Sequence, residues 1–129
     1  MLNTYRYSAK YINSNLTSGI KVDYFTLSAS EYTPVTSSKV KHTTLYGRKF
    51  SDYEYINIEF IVGGYIRETH SIPRKRFGTY SAELAFVNSA KTQYWANVAF
   101  ATDTSYYVQG SSNLGTDAFI CITGLKALM

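Results

Sequence analysis

The sequence predicts an all-β protein: one domain, an antiparallel β-sandwich of jelly-roll-like type with about eight strands. Tyr supplies 13 of the 129 residues, and Ser and Thr supply 14 each; Tyr and Thr favour a pleated, half-buried backbone. Short extended runs recur about every ten residues and are separated by Gly, Ser, Asn and Asp, as in sandwiches and jelly rolls. The length is that of one ordinary domain with a core of its own.

The first predicted strands lie on either side of a polar loop. Residues 19–29 and 39–47 read as extended runs, and the segment around Pro34 is rich in Ser and Thr, which is typical of a loop.

The stretch "YEYINIEFIVGGYIRETHSI", residues 53–72, predicts a β-hairpin around a double glycine. In its first run Ile56, Ile58, Phe60 and Val62 alternate with polar residues, so these four side chains share one face. We expect that face to build the core and the other face to be available to a neighbour or a ligand.

The turn of this hairpin is predicted from the charges that it brings together. A two-residue loop would place Glu59 opposite Glu68, and like charges directly opposite each other are unfavourable. A three-residue loop over 62–64 places Glu59 opposite Arg67 instead, and glycine suits its left-handed position. We therefore predict the three-residue loop.

The second half of the chain predicts four further strands. Residues 80–90 have room for a helical turn or two, but their neighbours favour a strand. In residues 91–102 the side chains Tyr94, Ala96, Val98 and Phe100 fall on one side. Strands over 103–110 and 118–128 complete the set.

The chain divides into an arm, residues 1–17, and a sandwich domain, residues 18–129. The arm is polar with scattered tyrosines and shows no clean period. It is either a segment for attachment or subunit contact, or a frayed terminus.

Charge and cysteine content limit the classes of function. A formal charge of +4 and a pI near 9.1 are mildly basic and lack the clustering of a nucleic-acid-binding protein. Cys121 cannot form an internal disulfide and is expected to be buried. The polar start predicts no signal peptide, and no apolar run reaches the roughly 20 residues of a membrane span. We expect synthesis in a reducing cytoplasm.

No pattern in the sequence indicates catalysis, a metal or a cofactor. His42 and His70 are both in predicted strands, and His42 is expected to be a satisfied, half-buried histidine. No nucleophile elbow, metal-ligand spacing or phosphate-binding loop is present. The sequence therefore predicts a protein that is not an enzyme.

The basic loop Arg74, Lys75 and Arg76 is the first of two features that fit a binding function. Three positive charges beside Phe77 suit contact with phosphates or with an acidic glycan. Alternatively they form a solvated loop that keeps the protein soluble.

The excess of aromatic residues is the second feature. The candidate ligand-binding residues are Tyr65, Arg67, Tyr94, Trp95, Tyr106 and Tyr107. Aromatic faces beside amides and hydroxyls suit shallow sugar recognition, and Tyr offers large contact area at low entropy cost. The alternative is that these rings fill the core or a subunit interface.

One part of this pattern resembles the distal, receptor-binding domains of bacteriophage tail-fibre and tail-tip proteins. The strand "SDYEYINIEF", residues 51–60, is similar to their Ser-x-Tyr-x-Tyr-Ile-x-Ile-x-Phe/Tyr strand. The segments "YIRETHSI", "YWANVAFATDTSYYVQGSS" and "AFICITGLKAL" follow in the same order as the later strands of such domains. The resemblance covers roughly residues 19–128.

This resemblance implies a homotrimer of sandwiches in a virion, made in the bacterial host cytoplasm, that binds a host surface glycan or protein. Two alternatives stay open. One is a structural capsid or tail decoration protein that docks on other virion proteins through residues 1–17. The other is a non-viral adhesion or carbohydrate-binding module.

Overall fold

Two antiparallel sheets packed face to face form the protein in the computed structural model, which describes residues 21–28, 32–73 and 81–128. The nine described strands are β1 Lys21–Thr26, β2 Thr33–Pro34, β3 Val40–Thr43, β4 Tyr55–Val62, β5 Tyr65–Pro73, β6 Ser81–Val87, β7 Gln93–Thr102, β8 Ser105–Gly110 and β9 Ala118–Leu128. The predicted all-β sandwich is confirmed. The predicted arm, residues 1–17, lies outside the described residues.

Sheet 1 has the order β1-β9-β4-β5, and sheet 2 has the order β3-β8-β7-β6. The short strand β2 also pairs with β9, further along the edge that β1 occupies. Strands from the two ends of the described chain therefore pair with each other, and the hairpins between them stay within one sheet. This nested pairing gives the fold its jelly-roll character.

Each predicted strand is present, and the differences are local. Residues 80–90 form a strand, β6, and not a helix. The loop around Pro34 contains the two-residue strand β2. The run 39–47 is extended only to Thr43, because a 3₁₀ turn follows in which Tyr46 takes a positive φ of 56°. A second 3₁₀ turn, Phe50–Asp52, leads into β4.

The core lies between the sheets and is built by the alternation that the sequence shows. Ile56, Ile58 and Phe60 are fully buried, and Val62 packs at the margin of the same cluster. From sheet 2 the alternate residues of β6, β7 and β8 meet them. The members from these strands are Ala82, Leu84, Ala96, Val98, Tyr106 and Val108.

The predicted register of the β4–β5 hairpin is wrong. The turn is a two-residue loop, in which Gly63 and Gly64 both have positive φ and Val62 pairs with Tyr65. A bulge then shifts the pairing, so that Glu59 faces Thr69 and not Glu68. The repulsion that argued against the short loop is thus avoided by one extra residue, Arg67, in β5.

Cys121 is buried, as predicted, and makes no disulfide. It pairs with Glu59 of β4. Because side chains alternate along a strand, it lies on the face of β9 opposite to the core residues Ile120 and Ile122.

Candidate functional site

The outer face of sheet 2 carries an aromatic and amide surface at its centre. Trp95 and Asn97 lie on this face of β7, because Ala96 and Val98 alternate with them and are fully buried in the core. Trp95 and Asn97 themselves are half-buried.

The neighbouring strand β8 continues the same surface. Tyr107 and Gln109 face outwards because Tyr106 and Val108 point into the core. The register pairs Asn97 with Gln109, so the two side-chain amides lie side by side between the two rings. The Cα atoms of Trp95 and Tyr107 are roughly 14 Å apart, by the rise per residue and the spacing of strands.

The edge strand β6 completes the surface with a carboxylate. Glu83 pairs with Asn97, and Ala85 pairs with Trp95. Because Ala85 is small, a depression of about 360 Å³ remains beside the indole, lined by Glu83, Leu84, Ala85, Gln93, Trp95 and Asn97. We call Glu83, Trp95, Asn97, Tyr107 and Gln109 the platform.

Several polar groups of the platform have donors or acceptors that make no hydrogen bond within the described part of the protein. Gln109 donates from Nε2 to the Ser37 carbonyl at 2.9 Å, which orients the amide and leaves its oxygen free to accept. Among the described residues, the Asn97 amide and the Glu83 carboxylate make no hydrogen bond. The Lys39 ammonium lies 4.8 Å from the centre of the Tyr107 ring, a cation–π distance.

These groups together suit a ligand with both apolar and hydroxylated surface. The rings offer flat apolar contact, and the amides and the carboxylate offer donors and acceptors next to it. A sugar ring presents an apolar face of C–H groups and a rim of hydroxyls, which is the complementary pattern.

Tyr65, Arg67 and Tyr94 form a second group away from the platform. Arg67 donates from Nε to the Val62 carbonyl at 3.1 Å. Its guanidinium carbon lies 4.9 Å from the centre of the Tyr65 ring and 5.0 Å from that of Phe86. Phe86 in turn stacks on Tyr94 with 5.0 Å between ring centres. This cluster covers the core margin, since Phe86 also contacts the buried Phe60.

The structure therefore divides the predicted ligand-binding residues by strand face. Trp95 and Tyr107 share the platform, whereas Tyr94 faces the opposite way from its neighbour Trp95. The basic loop of Arg74, Lys75 and Arg76 lies outside the described residues.

The prediction that Tyr106 contacts a ligand is wrong. Its side chain is fully buried between the sheets, and its hydroxyl lies 3.0 Å from Thr33 Oγ1. The alternation of side chains along a strand explains this burial. Tyr106 and Tyr107 are adjacent, so only one of the two can face outwards.

Glu83, Asn97 and Gln109 were missed as candidates, although a signal for two of them was present. Asn97 follows Trp95 by two residues, and Gln109 follows Tyr107 by two. A period of two from each outward-facing ring would have found both amides. Glu83 belongs to the site only through strand pairing, which no local pattern indicates.

His42 is half-buried, as predicted, but it is not satisfied. Its Nε2 atom is buried and has no hydrogen-bond partner among the described residues. Burial lowers the pKa of this imidazole, and its ring stacks on Tyr106 at 5.6 Å. These contacts place it in the packing of the core and not at the platform.

The described part of the chain holds no group of three or more His, Cys, Asp or Glu side chains that fits a metal ion. In those same ranges, no helix has the length and apolar character needed to cross a membrane.

Comparison with known proteins found no match among models of protein families, curated proteins or solved structures.

Proposed function

We propose that this chain is a non-enzymatic receptor-binding module of the phage tail-fibre type, which binds a saccharide of the host cell surface at the platform. The observation that supports it most directly is the shared outward face of Trp95 and Tyr107, with the Asn97 and Gln109 amides between them. The virion context comes from the resemblance of residues 51–60 and of the strands that follow.

A single platform of this kind binds weakly. The depression beside Trp95 opens to solvent, so a bound sugar stays partly in contact with water. Receptor binding at a useful strength then requires several copies, because linked sites raise avidity without new contacts. The homotrimer that the resemblance implies supplies three platforms on one particle.

Binding to a panel of immobilised glycans tests the proposal. The panel holds neutral and acidic oligosaccharides and purified bacterial lipopolysaccharides, and the bound protein is quantified. We expect Trp95→Ala to reduce binding by at least about tenfold, which corresponds to roughly 1.4 kcal/mol.

Tyr55→Ala is the matched control, because Tyr55 is an aromatic residue with 51% exposure on sheet 1. It should bind as the parent protein does. Absence of binding to every glycan, or equal binding by the Trp95→Ala variant, contradicts the proposed function and favours a decoration role.

Solution mass tests the trimer. Light scattering after size-exclusion chromatography should give about three times the chain mass of 14.6 kDa. A monomer at all concentrations would reject self-trimerisation and leave the platform as a single weak site.

A further inference from the structure

A groove runs between the two connections that cross from one sheet to the other next to the platform, and none of its described lining residues is charged. One connection joins β2 to β3, and the other joins β8 to β9. Its volume is about 420 Å³. It is lined by residues 34–37, 111–112, 114–116 and 118. We call it the crossover groove.

Hydrogen bonds between backbone groups hold the two walls of the groove together. The Gly110 amide donates to the Thr36 carbonyl at 2.7 Å, and the Val35 amide donates to the Ala118 carbonyl at 3.0 Å. Gly110 also allows the floor to close, since a Cβ there would lie 2.4 Å from a methyl carbon of Val35 and 2.7 Å from one of Leu114.

The chemistry of the groove is that of a site for an uncharged, hydroxylated ligand. Val35 and Ala118 form a buried apolar floor. Five hydroxyl side chains surround it, and those of Ser37, Ser112 and Thr116 make no hydrogen bond to another described residue. None of the lining residues carries a charge, so the lining itself offers an ionic ligand no partner of opposite sign.

The groove and the platform share a wall. The Gln109 side chain of the platform donates to the carbonyl of Ser37 in the groove. The Trp95 amide donates to the Ser111 hydroxyl at 3.2 Å, and Asn113 donates to the Gln93 carbonyl at 3.0 Å. The groove is therefore adjacent to Trp95. An oligosaccharide with one sugar ring bound at Trp95 can place its next rings in the groove.

We infer, on the basis of the proposed function, that the ligand is a neutral oligosaccharide that extends from the platform into the crossover groove. At the platform the Lys39 ammonium lies against Tyr107, and Glu83 supports the neutral ligand class at the opposite, Trp95 side. Its exposed carboxylate lines the depression beside Trp95 and repels an acidic sugar, whereas it accepts hydrogen bonds from neutral hydroxyls.

Titration with oligosaccharides of increasing length tests this inference. The probes are mannose, maltose-type glucose and N-acetylglucosamine oligomers of one to six units, with oligogalacturonate as the acidic counterpart. Binding is followed by calorimetry and by the backbone amide resonances of Ser112, Gly115 and Thr116. For at least one neutral series we expect the affinity to rise tenfold or more with length, and these resonances to shift only with the longer members.

Thr116→Trp and Ser112→Trp block the groove from exposed loop positions. Each should abolish the gain with length and leave the binding of the shortest members unchanged. Thr69→Trp is the matched control, because Thr69 is an exposed threonine on β5 of sheet 1, and it should bind like the parent protein.

The outcomes separate the inference from the function on which it rests. Length-independent binding that requires Trp95, or a preference for oligogalacturonate, rejects the extended neutral ligand and leaves a saccharide-binding platform. Absence of binding by every probe, with no effect of Trp95→Ala on the glycan panel, rejects both.

Discussion

The hydroxyl of Tyr106 lies 3.0 Å from Oγ1 of Thr33, and both side chains are fully buried. Tyr106 belongs to β8 of sheet 2 and Thr33 to β2 of sheet 1, so this hydrogen bond crosses the sandwich. The Tyr106 ring also meets Phe50 edge-on, with 6.1 Å between ring centres. This tyrosine connects the two sheets, because the short strand β2 brings Thr33 within hydrogen-bonding distance of the Tyr106 hydroxyl.

Tyr106→Phe should therefore destabilise the protein by about 1 kcal/mol, because the ring contacts remain and one buried hydrogen bond is lost. Urea unfolding measures the change. Tyr46→Phe is the control, since Tyr46 is 88% exposed and should leave stability unchanged. Equal stability of both variants would show that the Tyr106 hydroxyl contributes nothing to joining the sheets.

Ile58→Asp should prevent folding, because Ile58 is fully buried at the centre of β4 and pairs with Ile122 of β9. An unpaired carboxylate at this position costs more than about 4 kcal/mol. Circular dichroism and thermal melting report the result. Ile66→Asp provides the comparison, since Ile66 is 57% exposed and should tolerate the charge. Cooperative melting of the Ile58 variant near the parent temperature would refute the assignment of the core face.

Gly124→Ala should destabilise the protein by about 1–3 kcal/mol through overpacking. A Cβ at Gly124 would lie 2.6 Å from Cγ of Tyr53, and the whole ring would have to move. That ring is held by Phe25, 5.6 Å away between centres, and by a hydrogen bond from Arg48. Gly115→Ala has room for its methyl group and should change stability by less than about 0.5 kcal/mol. Similar melting of both variants would contradict the close packing at Gly124.

His42→Phe should remove part of the pH dependence of stability. Burial lowers the pKa of His42 below its ordinary value of 6.5, so the unfolded chain takes up a proton more readily than the folded one. The contribution of His42 to the free energy of unfolding is therefore fully present above its ordinary pKa of 6.5. It is lost as the pH falls through the lowered pKa. Unfolding at about pH 7.5 and about pH 5.5 should show a smaller loss for the variant than for the parent. An identical loss would exclude His42 as a source of acid sensitivity.

Glu59→Gln should change stability most near neutral pH, whereas His42→Phe should change it most in acid. Partial burial between Thr69 and Cys121 raises the pKa of the Glu59 carboxyl above its ordinary value of 4.5. The stabilising contribution of Glu59 is complete below that value and is lost as the pH rises through the raised pKa. The variant should thus melt higher than the parent near neutral pH and like the parent in acid. A constant gain at every pH would contradict the argument for Glu59.

The strands were predictable because their signal is local. In β4 and β7 the residues that face the core alternate with those that do not, and every second residue of Ile56–Phe60 and Ala96–Val98 is buried as the period requires. The alternation also separates Tyr106 from Tyr107, but it does not say which of the two is inside. That choice follows from where β8 pairs.

The register of the β4–β5 hairpin shows where local argument ends. Glycine content and charge pairing favoured a longer loop, but the chain uses a tight turn and places the extra residue at Arg67. In the bulged register the Arg67 side chain donates to the Val62 carbonyl, and its guanidinium lies against the ring of Phe86. Phe86 is on another strand of the other sheet, so no feature of residues 53–72 contains this information.

The sequence alone determined the all-β class, the order of eight strands and the faces of the strongly alternating ones, because a period of two is written in neighbouring residues. The tertiary structure decided which strands pair, and therefore that Glu83, Asn97 and Gln109 join Trp95 and Tyr107 on one surface. It also placed the two crossing connections side by side to form the groove. Pairing between distant segments depends on the packing of the whole core, and that sum over many contacts cannot be read from any single stretch of the chain.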